Sequence, residues 1–140
     1  MKNGMRVFLI SPVRNVSSET LKKIKAYVAL LESQEFLVHW PYRDTKQDDP
    51  TGGYMICRTN FDRIMRWAGS IHIWYDETSG GSEFDMGGTF MLVEMLGWNK
   101  KIVIANEDEI PDEVKERKKS FYKVFKRLQG EFERFNAGTE

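Results

Sequence analysis

Four short apolar segments, separated by longer segments of helical periodicity, constrain the fold of this chain more than any other feature. The apolar segments are residues 6–10, 36–40, 70–75 and 101–105. Their length of about five residues, their β-branched and aromatic content and the breakers that follow them are typical of buried strands. Strands that alternate with helices form parallel neighbours joined by helical crossovers. The pattern therefore predicts an α/β fold.

The intervening segments repeat apolar residues at spacings of three and four, which predicts amphipathic helices. The helix over residues 83–96 is apolar nearly all round, so we expect it to be largely buried. A long C-terminal helix from Lys115 carries an aromatic stripe that ends at Phe135, and we expect it to pack on the sheet edge or on a second subunit. Together these elements predict one domain over residues 1–140. Its fold is a small doubly wound, Rossmann-like or flavodoxin-like parallel sheet of about four to five strands with helices on both faces.

Composition excludes several classes of protein. Lys and Arg total 21 and Asp and Glu total 21, and this balance argues against a nucleic-acid partner, which would favour a basic surplus. No apolar run approaches the length of a membrane span. The single cysteine, Cys57, excludes an intramolecular disulfide, and the first four residues contain no apolar core of a secretory signal. We therefore expect a cytoplasmic protein.

Ligands of doubly wound sheets bind beyond the carboxyl ends of the strands, so the segments that follow the strands are read first. The segment after the third strand, residues 78–87, is rich in Gly and Ser and opens a helix. Glycines allow a tight turn, and the free N–H groups of a helix start bind anions. Ser79, Gly81 and Ser82 are therefore candidates to hold a phosphate group or a sugar hydroxyl.

Asp85 lies in the same segment, among apolar residues of the predicted helix. An unpaired carboxylate in such a place is costly, which favours a functional role. A structural alternative is a capping box, with Ser82 as the N-cap and Asp85 bonding back from the third helical position. The spacing alone leaves both interpretations open.

The segment around Asp85 resembles a motif of a known family. Ser79-Gly80-Gly81-Ser82-Glu83-Phe84-Asp85-Met86-Gly87 is similar to the motif Ser-x-Gly-Ser/Thr-x-x-Glu-x-Gly of the nucleoside 2-deoxyribosyltransferase-like family, which includes deoxynucleoside 5'-monophosphate N-glycosidases. The resemblance extends to the first strand and its loop at residues 8–14, and to residues 56–73. Together these segments span roughly residues 6–105, which is most of the chain.

The resemblance implies that the motif carboxylate attacks C1' of a (deoxy)ribosyl unit and releases the base. The matching residue here is Asp85, one methylene shorter than the family's glutamate. The family also has an aspartate in the second helix that supports the nucleophile or the leaving base. Asn60 or Asp62 corresponds to it, and if Asn60 does, that carboxylate is missing.

Further residues are candidates for substrate contacts. Ser11 and Arg14 follow the first strand, where the family binds substrate, although Arg14 could also be an exposed loop residue. Tyr42, Arg43 and Asp44 follow the second strand, where a base or ribose would be recognised. Asp76 follows the third strand and could bind a ribose hydroxyl or cap the loop.

Two functions follow from this reading. The first is cleavage or transfer of the N-glycosidic bond of a nucleoside or its 5'-monophosphate. The second is a non-catalytic module that binds a nucleotide or an ADP-ribose-like ligand on the same fold. No zinc-ligand spacing, P-loop or GxGxxG motif is present, so we expect neither a metal nor a cofactor. We expect a homodimer or higher homo-oligomer.

Overall fold

The computed structural model describes residues 5–137 and contains a parallel sheet of four strands in the order β2-β1-β3-β4. The four N-terminal residues, on which the expectation of no secretory signal rests, lie outside the described residues. The predicted α/β fold with a doubly wound parallel sheet is confirmed. The strands are β1 (Arg6–Ile10), β2 (Leu37–His39), β3 (Ser70–Ile73) and β4 (Lys101–Ile104).

Helices cover both faces of this sheet. The helix α1 (Ser18–Ser33) packs on one face, and α3 (Tyr54–Asp62), α4 (Gly80–Phe90) and α6 (Phe121–Ala137) pack on the other. Alternation along β1 explains the two cores, because successive side chains of a strand point to opposite faces. The remaining helices are the short α2 (Pro41–Asp44) and α5 (Asp112–Lys115); π-helical turns at Arg63–Trp67 and Met91–Met95 extend α3 and α4, and a 3-10 turn spans Glu107–Glu109.

The connections place a crevice between β1 and β3. From β1 the chain passes through α1 to β2 at one edge, and then returns through α3 on the opposite face to β3. The strand order therefore reverses between β1 and β3, which are hydrogen-bonded neighbours. The carboxyl ends of two strands that meet at such a reversal leave the crevice in which doubly wound sheets bind ligands.

The C-terminal helix differs from the prediction at its start. Residues 116–120 break the predicted helix, and α6 begins at Phe121 after Ser120, whose side chain accepts a hydrogen bond from the Lys123 N–H. Its residues Tyr122, Phe125 and Leu128 are buried against the sheet. Gln129 Oε1 accepts a hydrogen bond from the N–H of Ile104 in the edge strand β4. The helix thus packs along the sheet edge and provides an acceptor for an N–H group of the edge strand.

The prediction that the third helix is largely buried is wrong. Met86 and Leu92 are buried, but Phe84, Met91 and Met95 are 58%, 58% and 70% exposed. The sheet is only four strands wide, so it covers one side of this helix and leaves an apolar stripe outside.

Within residues 5–137, no helix combines the length and the apolar character needed to cross a membrane.

Candidate functional site

A cleft of about 400 Å³ opens at the carboxyl ends of β1 and β3, where the strand order reverses. The loop after β1, the start of α4 and one side of α3 form its walls. It brings together residues that lie far apart in the sequence. The predicted site residues that line it are Ser11, Arg14, Asn60, Ser79, Gly81 and Asp85.

The helix α4 begins one turn earlier than predicted, and this resolves the capping question. Ser79 is the N-cap, because its side chain accepts a hydrogen bond of 3.2 Å from the Ser82 N–H. Asp85 therefore lies in the second helical turn and cannot serve as the capping-box partner of Ser82. That structural alternative is wrong. Gly80 and Gly81 occupy the first turn, where N–H groups have no acceptor within the helix.

Asp85 is the electrostatically unusual residue of the cleft. Its side chain is partly buried, and no donor among residues 5–137 bonds to its carboxylate. Burial raises the pKa of Asp85 to about 7, from an ordinary value of 3.8. Removal of water disfavours the charged form, and no cation among residues 5–137 contributes to this shift. A carboxyl group that changes charge near neutral pH suits proton transfer or nucleophilic attack.

Two predicted serine residues have buried hydroxyls without a hydrogen-bond partner within the described residues, Ser11 and Ser82. Ser11 is 6% exposed and lines the cleft, whereas Ser82 is 2% exposed in the first turn of α4 and does not line it. Buried polar atoms almost always have a partner, so the Ser11 hydroxyl marks a place where water or a ligand completes the hydrogen bonding.

The structure also separates the two candidates on α3. Asn60 is buried, lines the cleft and accepts a hydrogen bond of 2.7 Å from the Thr45 hydroxyl. Asp62 is exposed and pairs with Arg66 at 3.5 Å, one helical turn away. Of these two candidates, Asn60 is therefore the one that a ligand in the cleft can reach, and Asp62 lies outside the cleft.

Four further candidates lie away from this cleft. Arg43 binds Asp44 and Glu32, and Asp44 also accepts a hydrogen bond from the Trp40 N–H. Tyr42 stacks on Trp40 with 5.2 Å between the ring centroids. Asp76 accepts hydrogen bonds from the N–H and the hydroxyl of Thr78, which makes it a loop cap. Local partners thus occupy the polar groups of Arg43, Asp44 and Asp76, and none of the four candidates lines the cleft.

The residues that line the cleft but were not assigned to the site from the sequence include Cys57 and Gln47. Cys57 shares α3 with Asn60, and helical spacing of three residues is the signal that could have placed it there. Burial raises the pKa of the Cys57 thiol, and the negative charges of Asp85 and Asp49 add to this shift. The thiol is therefore protonated at neutral pH and is a poor nucleophile.

The close approach of α3 and α4, which brings Asn60 and Asp85 to one cleft, depends on a glycine. A side chain at Gly88 would overlap the ring of Phe61, the neighbour of Asn60. The adjacent Gly87 has nothing within 4 Å of the place where its Cβ would lie. The two glycines therefore form a matched pair for testing this contact.

Gly88→Ala is expected to lower the free energy of unfolding by about 1 to 3 kcal/mol, because the Phe61 ring must move in a packed interface. Gly87→Ala is expected to raise it by about 0.5 to 1 kcal/mol, because alanine is the better helix former. Urea denaturation of both variants measures the difference. Equal effects of the two substitutions would contradict the packing role of Gly88.

Among the described residues, no group of three His, Cys, Asp or Glu side chains is arranged to hold a metal ion. The candidate site consists of one desolvated carboxyl group, an amide, one unpaired serine hydroxyl and the start of a helix. No family model, curated protein or solved structure matches this chain.

Proposed function

We propose that this protein cleaves or transfers the N-glycosidic bond of a (deoxy)nucleoside or nucleoside 5'-monophosphate, with Asp85 as the nucleophile. The observation that carries the proposal is the Asp85 carboxyl group, which lacks a hydrogen-bond donor among the described residues and lines a cleft at the strand reversal. The resemblance of residues 79–87 to the nucleoside 2-deoxyribosyltransferase-like motif supplies the reaction type. The shorter aspartate side chain replaces the family's glutamate.

In this mechanism the ionised Asp85 attacks the anomeric carbon of the sugar. The C1'–N bond breaks, its electron pair leaves with the base, and a C1'–O bond to the carboxylate forms through an oxocarbenium-like transition state. Water then releases the sugar or its 5'-phosphate and gives a proton to the departed base, or a second base takes up the glycosyl unit. Either route returns the carboxylate.

The rest of the cleft suits the sugar side of such a substrate. The first-turn N–H groups of Gly80 and Gly81 favour an anion or hydroxyl oxygen at the start of α4. The hydroxyl of Ser11, which lines the cleft, can complete its hydrogen bonding with a ligand. Arg14 lines the same cleft and adds a positive charge, which favours a 5'-phosphate.

Incubation with a panel of nucleosides and 5'-monophosphates tests this proposal, with released bases read by chromatography. We expect at least one member to lose its base. A second function, a non-catalytic nucleotide-binding module, is favoured by Asn60, an amide where the family has a carboxylate. A nucleotide-dependent rise in melting temperature without base release would support the binding module. Neither response to any member would contradict both functions.

The apolar stripe on α4 supports a homodimer. Phe84, Met91 and Met95 lie on one side of the helix, and the adjacent α3 exposes Tyr54 and Met55, which are 60% and 50% exposed. Exposed large apolar side chains on two neighbouring helices are typical of an interaction site. A second copy is the partner we propose, because a two-fold contact lets a patch shared by two neighbouring helices pair with itself.

Light scattering at micromolar concentration is expected to give the mass of a dimer for the unmodified protein, and of a monomer for Met91→Glu. A single buried charge at such a contact costs several kcal/mol, enough to dissociate a micromolar dimer. Phe135→Glu, at an exposed apolar residue of α6, is the matched control and is expected to stay dimeric. If Phe135→Glu alone gave a monomer, the interface would lie on the C-terminal helix. A monomeric unmodified protein would contradict the proposed dimer.

A further inference from the structure

A chain of three buried side chains connects the core to the cleft. His39 Nε2 lies 2.9 Å from Thr45 Oγ1, and the Thr45 hydroxyl donates to Asn60 Oδ1 at 2.7 Å. The three residues are 7%, 5% and 6% exposed. His39 ends β2, Thr45 lies in the loop that follows α2, and Asn60 lies on α3. Only Asn60 among them lines the cleft.

The hydrogen bonds from His39 through Thr45 to Asn60 are all donated in the same direction. A threonine hydroxyl carries one hydrogen, and here that hydrogen goes to Asn60 Oδ1. His39 Nε2 must therefore donate to Thr45 Oγ1. With its oxygen held by Thr45, Asn60 keeps its Nδ2 group, which has no partner within the described residues, for a ligand in the cleft.

We propose that His39 and Thr45 are positioning residues that hold the Asn60 amide so that it offers the cleft a hydrogen-bond donor and selects a ligand with an acceptor atom. The identity of the ligand rests on the proposed function, in which this acceptor is a carbonyl oxygen or ring nitrogen of the leaving base. Donation to that atom stabilises the negative charge that develops as the C1'–N bond breaks. A carboxylate at this position would offer the opposite polarity.

The reverse direction makes a different prediction. If His39 Nε2 lacked a hydrogen, it would accept from the Thr45 hydroxyl, and the Asn60 amide would turn to donate to Thr45. The cleft would then meet Asn60 Oδ1, an acceptor. The tautomer of His39 therefore reports which group of Asn60 the ligand meets.

The first test needs no substrate. The chain has two histidines, so 15N spectra of the imidazole rings contain two sets of signals, and His39→Gln identifies one of them. At neutral pH we expect the hydrogen of His39 on Nε2 in the ligand-free protein. Thr45→Val is expected to shift this signal, and Thr45→Ser, which keeps the hydroxyl, to restore it. A hydrogen on Nδ1 alone would overturn the proposal, whatever the protein's activity.

The second test uses whichever nucleotide the protein turns over. Thr45→Val is expected to lower kcat/KM by about tenfold to a hundredfold, with Thr45→Ser recovering most of the loss. Asn60→Asp, which replaces the donor by an acceptor, is expected to lower it by about a hundredfold or more. Activity of Asn60→Asp equal to that of the unmodified protein would overturn the donor role. Because the tautomer is measured separately, failure of the proposed function would not hide failure of this inference.

Discussion

Asp85→Asn is expected to raise the free energy of unfolding at pH 8 by about 2 to 4 kcal/mol. Burial raises the pKa of Asp85 to about 7, so above this pH the folded protein holds a desolvated negative charge without a partner among the described residues. One pKa unit corresponds to about 1.4 kcal/mol, and water that enters the open cleft reduces the full cost. Asparagine keeps the shape of the side chain and removes the charge.

The sign of the pH dependence follows from the same shift. The folded-state pKa lies above the ordinary value of 3.8, so between about pH 4 and 7 the folded chain keeps a proton that the unfolded chain has released. The contribution of Asp85 to stability therefore falls as pH rises through this window and is lowest above it. Denaturant titrations of Asp85→Asn and of the unmodified protein at several pH values measure the difference between their free energies of unfolding. The contributions of all other carboxylates cancel in this difference.

A matched control is available on α3. Asp62 is 59% exposed and forms an ion pair of 3.5 Å with Arg66, so Asp62→Asn is expected to change the stability by no more than about 0.5 kcal/mol at any pH. If Asp85→Asn and the unmodified protein are equally stable at pH 8, the carboxylate of Asp85 is not desolvated in the folded protein.

Asp85→Asn is also expected to lower the rate of base release by about a thousandfold or more, because an amide cannot form the glycosyl ester. In the unmodified protein the nucleophile must be ionised. With the pKa of Asp85 raised to about 7, kcat/KM is therefore expected to rise about tenfold per pH unit below this value and to level off above it. Steady-state kinetics from pH 5 to about pH 9 measure both effects.

The length of the side chain provides a sharper control than its charge. Asp85→Glu restores the residue of the family motif but extends the carboxylate by one methylene into a cleft shaped around aspartate. A displacement of about 1 Å is expected to lower the rate about a hundredfold. Asp62→Asn should retain the unmodified rate, since this residue lies outside the cleft. A fully active Asp85→Asn variant would exclude nucleophilic attack by this residue.

Much of the fold could be predicted because it rests on local patterns. The apolar runs of the four strands and the helical spacing between them follow from burial on a two-faced parallel sheet. The strand reversal that forms the cleft then follows from the α/β class, and it directed attention to Ser11, Ser79 and Asp85, which line this cleft. Helix starts were less certain: several residues near Ser79 could cap α4, and hydrogen bonding selects one.

The contacts of individual polar side chains could not be predicted in this way. Arg43 and Asp44 follow β2 as a ligand-binding pair would, but the long arginine side chain reaches Glu32 on α1, a partner brought close only by packing. The apolar residues of α4 likewise predict burial, but the width of the sheet decides how much of the helix it covers. The chain from His39 through Thr45 to Asn60 has no sequence signal, because its members are 6 and 15 residues apart.

One measurement tests the central claim, nucleophilic attack by Asp85, most directly. A turnover mixture of the protein with a nucleotide that it cleaves is quenched in acid, and the mass of the intact chain is determined at successive times. We expect a fraction of the chain to be heavier by the glycosyl unit, with the added mass on the peptide that contains Asp85, and no such species for Asp85→Asn. Base release from a chain that remains unmodified throughout the first turnover would contradict this account.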